Sequence, residues 1–323
     1  MTGFVFGKFL PFHKGHQALI EFAAKHCDKL IVLICCSNKE SIPAAVRLQW
    51  LKETFAADYQ IFPQLLEYDE SELPNTSVSS MKVSEIWSGK FKEILPQVEL
   101  LVSSEPYGEF VANFMKIDHI VFDPARIFVP VSGTMIRKNP RACWQYLPNT
   151  VKPFYQRKIV ILGTESTGKS TLCELLSKHL MATWVLETGR ELISDSTNFS
   201  IEDLYIVASA HLKKVFQAIG EFPPMIIFDT DIHITQSYAK FSFGQYLELP
   251  AEWYETQKAD LYIYLDNDVP FIQDGTRLAV ENRNALDISH RETLRHFGIR
   301  YETVSGDWEN RFQKSLELIY KLL

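Results

Sequence analysis

The run "GKFLPFHKGHQALI", residues 7–20, sets two histidines, His13 and His16, on either side of Lys14 and Gly15. It follows the apolar stretch "FVF" (4–6) and leads into a helix-like pattern. Gly7, Lys8 and Phe9 read as a tight turn after a strand, and Pro11 fixes the chain direction. A glycine lets backbone come close to a phosphate, and the helix N-terminus, where His16 falls, favours anions. Imidazoles there can donate to phosphate oxygens at neutral pH. Zinc lacks support, because no cysteine or carboxylate lies nearby at ligand spacing. A second anion cradle is expected at "VSGTMIRKNP", 131–140, where Ser132 and Thr134 donate at a helix start and Arg137 lies one turn inside. Arg47, in "AAVRLQWL", is expected either to reach the same anions or to lie on a helix surface.

The second half of the chain carries "GTESTGKST", Gly163 to Thr171, which fits the pattern GxxxxGK[ST]. The strand-like "RKIVIL" precedes it and the helical "STLCELLSKHL" follows, the context this pattern needs. Gly163, Thr164, Glu165, Ser166, Thr167 and Gly168 would turn backbone N–H groups onto phosphates. Lys169 would reach the β and γ oxygens, with Ser170 on Mg²⁺ and Thr171 beside it. Such a loop needs a second acidic site. "MIIFDTD" ends a strand in Asp229 and Asp231, either helix caps or a water-linked metal ligand and a substrate contact. "ETGRE" puts Glu187 and Arg190 at another strand end, where an acceptor would lie. Arg277, in "QDGTR", is a candidate to close on transferring phosphate. Arg283 and Arg291 are looser candidates for the same role and otherwise read as solvated surface charge.

Doubly wound α/β sheets would position these residues. Apolar runs at 30–36, 98–104, 119–122, 158–163, 225–231, 259–266 and 299–306 read, with 4–6, as buried parallel strands. Helical patterns intervene at 16–27, 44–55, 134–147, 168–181, 201–219 and 309–322. At 323 residues the chain calls for two domains. The proline-bearing "LPNTVKPFYQRK", 147–158, is the expected joint, giving domains at 1–150 and 157–323.

A net charge of −7 argues against a protein that coats nucleic acid, though not against phosphate ligands in local sites. Five cysteines, without a CxxC pair, fit a reduced cytoplasmic setting. No secretory signal and no membrane-length apolar run is visible. Oligomeric state is left open, a homo-oligomer included.

Taken together, "GKFLPFHKGH", "SSEPYG" (103–108), "VFDPARIFVPVSGTMIRKNP" and "YLPNTVKPFYQRKIVILGTESTGKST" resemble one family closely. Residues 1–145 resemble the nucleotidyltransferases with HxGH and ISTxxR signatures. Nearly the whole chain resembles the bifunctional nicotinamide-nucleotide adenylyltransferase and ribosylnicotinamide kinase of bacteria, the NadR-like enzymes. The resemblance implies two steps. The second domain would phosphorylate nicotinamide riboside with ATP, and the first would adenylylate the mononucleotide with ATP to give NAD and pyrophosphate. It implies Mg²⁺, with ATP as co-substrate. His13, His16, Arg137, Lys169, Glu187 and Asp229 would act in catalysis, either with Glu187 as base and Asp229 on the metal or with Asp229 in both roles. Trp87 would either stack on the pyridinium ring, since an aromatic face suits a cation, or pack in the core.

Two features depart from the family pattern. ISTxxR reads V-S-G-T-M-I-R here, with Gly133 in the first donor's place, and the DNA-binding segment of regulatory members is not expected. Alternatives are an adenylyltransferase for nicotinate mononucleotide joined to a nucleoside kinase, a P-loop ATPase with a binding module, and a non-catalytic nucleotide sensor.

Overall fold

A computed structural model describes residues 1–75, 80–193, 198–269 and 280–323. The chain divides into two compact units, Met1–Tyr155 and Gln156–Leu323.

In the first unit the elements run β1 (Thr2–Gly7), α1 (Lys14–Ala24), β2 (Lys29–Ser37), α2 (Ala44–Thr54), β3 (Ile61–Tyr68), α3 (Met81–Ile94), β4 (Leu100–Ser103), α4 (Tyr107–Met115), β5 (Asp118–Val121), α5 (Gly133–Lys138) and α6 (Lys152–Tyr155). The five strands are parallel, in the order β3-β2-β1-β4-β5. Both faces are covered, and side chains alternate between them. Leu30, Val32 and Ile34 of β2 join Val5 and Ile20 in one core, while Ile31, Leu33 and Cys35 join Phe4 and Phe91 in the other. A two-faced strand therefore reads as an unbroken apolar run. The order reverses between β1 and β4, and ligands of such sheets lie at that switch point, outside the carboxyl ends. "GKFLPFHKGH" follows β1 and "SSEPYG" spans the end of β4.

The second unit runs β6 (Arg157–Leu162), α7 (Lys169–Leu180), β7 (Thr183–Val185), α8 (Gly189–Leu192), α9 (Ile201–Gly220), β8 (Met225–Asp229), α10 (Ile232–Phe243), α11 (Ala251–Gln257), β9 (Leu261–Leu265), α12 (Val280–His296), β10 (Glu302–Val304) and α13 (Trp308–Leu322). Its parallel sheet has the order β10-β9-β6-β8-β7. Ile159 and Ile161 face α7 and α13 residues, and Val160 and Leu162 face the opposite core. The phosphate loop follows β6, and Ile161 pairs in register with Asp229 at the end of β8. Two parallel α/β sheets are thus present, as expected.

Three local expectations change. The helix read over 134–147 stops at Lys138, because Asn139 precedes Pro140 and is pushed out of helical geometry, and only a short 3₁₀ turn, Trp144–Tyr146, follows. β3 and the short β7 join the strands expected from the apolar runs. Pro63 is tolerated in β3 because that strand is a sheet edge. Among the described residues, no helix is long and apolar enough to cross a membrane.

Candidate active sites

In the first unit, His13 is the N-cap of α1, and its Nδ1 accepts the backbone N–H of His16 at 3.3 Å. That bond assigns the proton to Nε2, leaving an N–H donor on the free side of the ring. The imidazole folds back over residue 15. A Cβ there would lie 3.1 Å from His13 Cε1 and Nδ1, so the glycine between the histidines makes room for the cap. The two imidazoles stack with centroids 3.6 Å apart, and Phe9 meets His16 edge-on at 4.9 Å. Burial lowers the pKa of His13 to about 3, helped by the nearby Arg126 guanidinium. Burial, then His13 and Arg126, holds His16 well below the ordinary imidazole range. Both rings are neutral donors near pH 7.

These rings face a cleft of about 650 Å³ that Gly7, Lys8, Phe9, Ser132, Thr134 and Arg137 also line. Arg137 donates to the Leu10 carbonyl and, at 3.2 Å, to Thr134 Oγ1. Ser132 caps α5 by accepting Met135 N–H at 3.2 Å, with its own O–H left to donate. Gly133 has a steric role. A Cβ there would stand 2.5 Å from the Leu10 carbonyl oxygen, so a serine or threonine in the first donor's place would push α5 off the loop.

Arg47 departs from both expectations for it. It is 1% exposed, and its Nη1 donates to Glu40 Oε2 at 2.7 Å and to the Lys8 carbonyl at 2.8 Å. It does not line the histidine cleft; it fixes the backbone of the turn that does. Glu40 also pairs with Lys8 Nζ at 3.0 Å.

A second cavity, of about 180 Å³, adjoins the cleft through shared Phe6, Gly7, Lys8, Asn75, Glu105 and Tyr107. Trp87 lines it while packing edge-on against Tyr68 at 4.9 Å and donating Nε1–H to the Pro74 carbonyl at 3.1 Å. Packing and lining coexist in this one side chain.

In the second unit the phosphate loop turns at Gly168, whose φ of +84° suits glycine. Thr164 and Thr167 are buried, and Thr167 Oγ1 donates to the Thr164 carbonyl at 2.8 Å. Lys169 Nζ donates to that same carbonyl at 3.2 Å, folded onto its own loop. Ser170 Oγ donates to Asp229 Oδ2 at 2.5 Å, and Asp229 is fully buried. Ser166 takes φ of +59° within the loop, while Thr171 is exposed on α7. Glu165 accepts the Tyr238 hydroxyl at 3.0 Å.

A cavity of about 110 Å³ is lined by Gly163, Glu165, Lys169, Glu187 and Asp231, with an apolar wall that includes Phe199, Leu204 and Ile234. Lys169 and Glu187 therefore share a chamber, with Asp229 tucked below it against Ser170. Asp231 caps α10, taking His233 N–H at 3.0 Å and sitting 2.6 Å from His233 Nδ1. Thr230, between the two aspartates, holds φ of +70°, a strained value for a β-branched residue. His211 also lines the chamber, and burial lowers its pKa to about 4. The backbone at position 190 lies in the first turn of α8, but the Arg190 side chain and all of Arg277 lie outside the described residues.

Several contributors escaped sequence reasoning. Arg283, expected in solvent, is 5% exposed and donates Nε–H to the Glu165 carbonyl at 3.2 Å. Arg311 is fully buried and donates to the Thr167 carbonyl at 2.8 Å, to the Asp266 carbonyl at 2.9 Å and to Asp268. Nothing in "WENRF" signals that reach, since the contact spans the whole unit. Glu105 and Arg126 stood inside quoted motifs without an assigned role. Arg291 pairs with Asp266 and Asp287, each at 2.8 Å.

Residues 4–139 match the cytidylyltransferase-like family and residues 158–311 an AAA domain. The fold and the two sites define an α/β protein that joins a cytidylyltransferase-like domain to a kinase-like P-loop domain. The trifunctional NAD biosynthesis/regulator protein NadR of Escherichia coli strain K12 is 28% identical over 348 residues, covering 99% of this chain and 83% of the relative. NadR of Salmonella typhimurium strain LT2 is 28% identical over 346 residues with the same coverage. Two crystal structures share the fold: a NadR protein in complex with NR at a TM-score of 0.66 and 20% identity, and one with NAD and AMP-PNP at 0.64 and 21%. Each covers 99% of this chain and 95% of the other. Over both domains the chain is similar to the NadR proteins.

Proposed function

We propose that this chain makes NAD in two ATP-dependent steps, with residues 157–323 acting as a ribosylnicotinamide kinase and residues 1–150 as a nicotinamide-nucleotide adenylyltransferase. The observation that carries the reading is the pair of unlike anion cradles, one at the carboxyl edge of each sheet. The phosphate loop shares its chamber with a carboxylate, Glu187, whereas the histidine cleft gathers neutral donors and guanidinium groups.

That difference suits the two nucleophiles. A riboside hydroxyl starts protonated. Glu187 would take its proton as the oxygen bonds to the γ-phosphorus and ADP departs, while Lys169 moves from the Thr164 carbonyl onto the phosphates. Arg190 and Asp231 would hold the riboside, and Arg277 would close on the transferring phosphate. A mononucleotide phosphate is already ionised near neutral pH, with a second pKa of about 6, and needs no base. Its oxygen would attack the α-phosphorus of ATP, the α–β bridge would break, and pyrophosphate would leave with its charge. His13 Nε2–H, His16, Thr134 and Arg137 would donate to the oxygens that gain charge.

Mg²⁺ fits the second site. Ser170 Oγ and Asp229 Oδ2 stand side by side at 2.5 Å, a hydroxyl and a carboxylate of the hard oxygen type that this ion takes, directly or through water. When bound it would neutralise the charge of the β and γ phosphates. Five free thiols support a cytoplasmic setting.

The test is incubation with ATP, Mg²⁺ and nicotinamide riboside, following mononucleotide and NAD by chromatography. Lys169→Ala should stop riboside phosphorylation and leave mononucleotide adenylylation nearly intact. His16→Ala should do the reverse. Loss of both activities from either change, in a folded chain, would refute the division.

A further inference from the structure

"SSEPYG" has no part in the chemistry above, yet it lies at the switch point of the first sheet. Ser103 Oγ donates to the Glu105 carbonyl at 3.3 Å and stands 2.9 Å from His119 Nε2. Gly108 N–H donates to the same Glu105 carbonyl at 3.0 Å. A Cβ at Gly108 would lie 1.9 Å from Ser103 Oγ, so the glycine lets this turn close. The turn is built to hold residue 105 in a fixed place.

That place is the wall between two cavities. Glu105 lines both the histidine cleft and the aromatic cavity of Trp87, Tyr68, Tyr107 and Phe6. Among the described lining residues of the aromatic cavity, Glu105 is the one carboxylate, and the other charged group, Lys8, pairs with Glu40. Glu105 Oε1 accepts from Arg126 Nη2 at 2.8 Å. Arg126 lines only the cleft. Its guanidinium is near enough to both imidazoles to disfavour their protonation. With those imidazoles neutral, formal positive charge for a triphosphate in the cleft comes from arginine and lysine. Arg137 is held on a backbone carbonyl and a hydroxyl, and Lys8 on the buried Glu40, whereas the Arg126–Glu105 pair is exposed on both sides and so weak, which makes Arg126 the cation most readily turned to phosphate.

We infer that Arg126 is a triphosphate-binding residue of the cleft, and that Glu105, released when Arg126 turns to phosphate, recognises the positive ring of the second substrate. The inference rests on the adenylyltransferase reading above. A pyridinium ring placed among aromatic faces gains from one carboxylate at the rim. A ring that bears its own carboxylate, as in nicotinate mononucleotide, is repelled by it. Before ATP binds, the Arg126 guanidinium cancels the Glu105 charge and the ring site is weak. Afterwards the ring site is strong, and by linkage each substrate tightens the other.

The experiment is an initial-rate grid of adenylylation, with ATP varied against nicotinamide mononucleotide and, separately, nicotinate mononucleotide. For the wild-type chain, KM for nicotinamide mononucleotide should fall roughly fivefold as ATP rises. Glu105→Gln should raise that KM by about tenfold, more than it lowers kcat, and abolish its dependence on ATP, while KM for nicotinate mononucleotide falls. Arg126→Ala should raise KM for ATP and leave KM for nicotinamide mononucleotide low at every ATP concentration. Partial recovery in Glu105→Asp, at an unchanged melting temperature, would separate recognition from folding. The inference is overturned if Glu105→Gln keeps the wild-type ratio between the two mononucleotides, or if Arg126→Ala leaves KM for ATP unchanged. A wild-type chain that adenylylates neither mononucleotide would overturn the proposed function and this inference together.

Discussion

Two carboxylates near the phosphate loop differ in what surrounds them, and the work proposed for each follows that difference. Asp229 is fully buried and accepts the Ser170 hydroxyl, so it is committed to the oxygen pair suited to a metal. Glu187 lines the chamber with Lys169, where an acceptor hydroxyl would sit. Glu187→Gln should therefore lower riboside phosphorylation by about 10²–10⁴-fold, the usual contribution of a general base, while ATP affinity holds. Asp229→Asn should instead shift the Mg²⁺ concentration needed for half-maximal rate. Steady-state kinetics with Mg²⁺ titration separates the two. Normal turnover in Glu187→Gln, with the pH dependence lost in Asp229→Asn, would exchange the roles. Arg47 teaches the opposite lesson about residue types. An arginine near an anion site was readable as a phosphate contact, but its burial against Glu40 makes it a brace for the Lys8 turn, and burial is not written in "AAVRLQWL".

At the scale of elements, the strands were legible where both faces are covered. "LIVLICC" and the "IVIL" of "KIVILG" are apolar throughout because alternate residues enter different cores. "IFPQLLEY" was not legible, because an edge strand keeps polar residues and tolerates Pro63. Motifs tied to a turn, such as GxxxxGK[ST] and HxGH, were visible because local steric rules fix their glycines. Arg311, Arg283 and the Glu105–Arg126 pair were not, because their partners lie far along the chain. Helix α5 shows how tightly an element can be set by one missing atom. Gly133→Ala would bring a Cβ to 2.5 Å from the Leu10 carbonyl oxygen, and backbone cannot swing aside as a side chain can. The helix should shift and carry Thr134 and Arg137 with it. A displacement of about 1 Å can cost roughly 10²-fold in rate. NAD formation from the mononucleotide should fall by that order while riboside phosphorylation persists. Unchanged adenylylation in Gly133→Ala would show that the helix start does not position the donors.

For the whole molecule, buried imidazoles set the response to acid. His13, His211 and His290 have pKa values lowered to about 3, 4 and 3 from an ordinary 6.5, burial being the largest cause in each, and burial also holds His16 well below the ordinary range. A group lowered in the folded state takes up its proton on unfolding. Its contribution is complete above pH 6.5 and is lost as pH falls toward the folded value. Each such histidine removes about 1.4 kcal/mol per pH unit within that window. His13 and His16 belong to the first unit, His211 and His290 to the second, so both should weaken together. Carboxylates whose values are lowered, such as Asp203 and Glu70, add their loss only at lower pH. Urea midpoints measured between pH 7 and 4.5 should fall steeply for both units. A flat midpoint over that range would show that the imidazoles are charged in the folded protein.

Arg311 sits on the last helix of the second unit and holds the carbonyl of Thr167, in a loop some 144 positions earlier in the chain. Trp308, at the start of the same helix, occupies the space that a Cβ on Gly168 would need. During synthesis every residue of the histidine cleft is in the chain once the ribosome has passed Tyr155. The phosphate loop is translated soon after, yet Arg311, part of its outer wall, follows Thr167 by 144 positions. A nonsense codon shortly before Trp308 would therefore yield a chain that bears the full GxxxxGK[ST] signature without a finished loop.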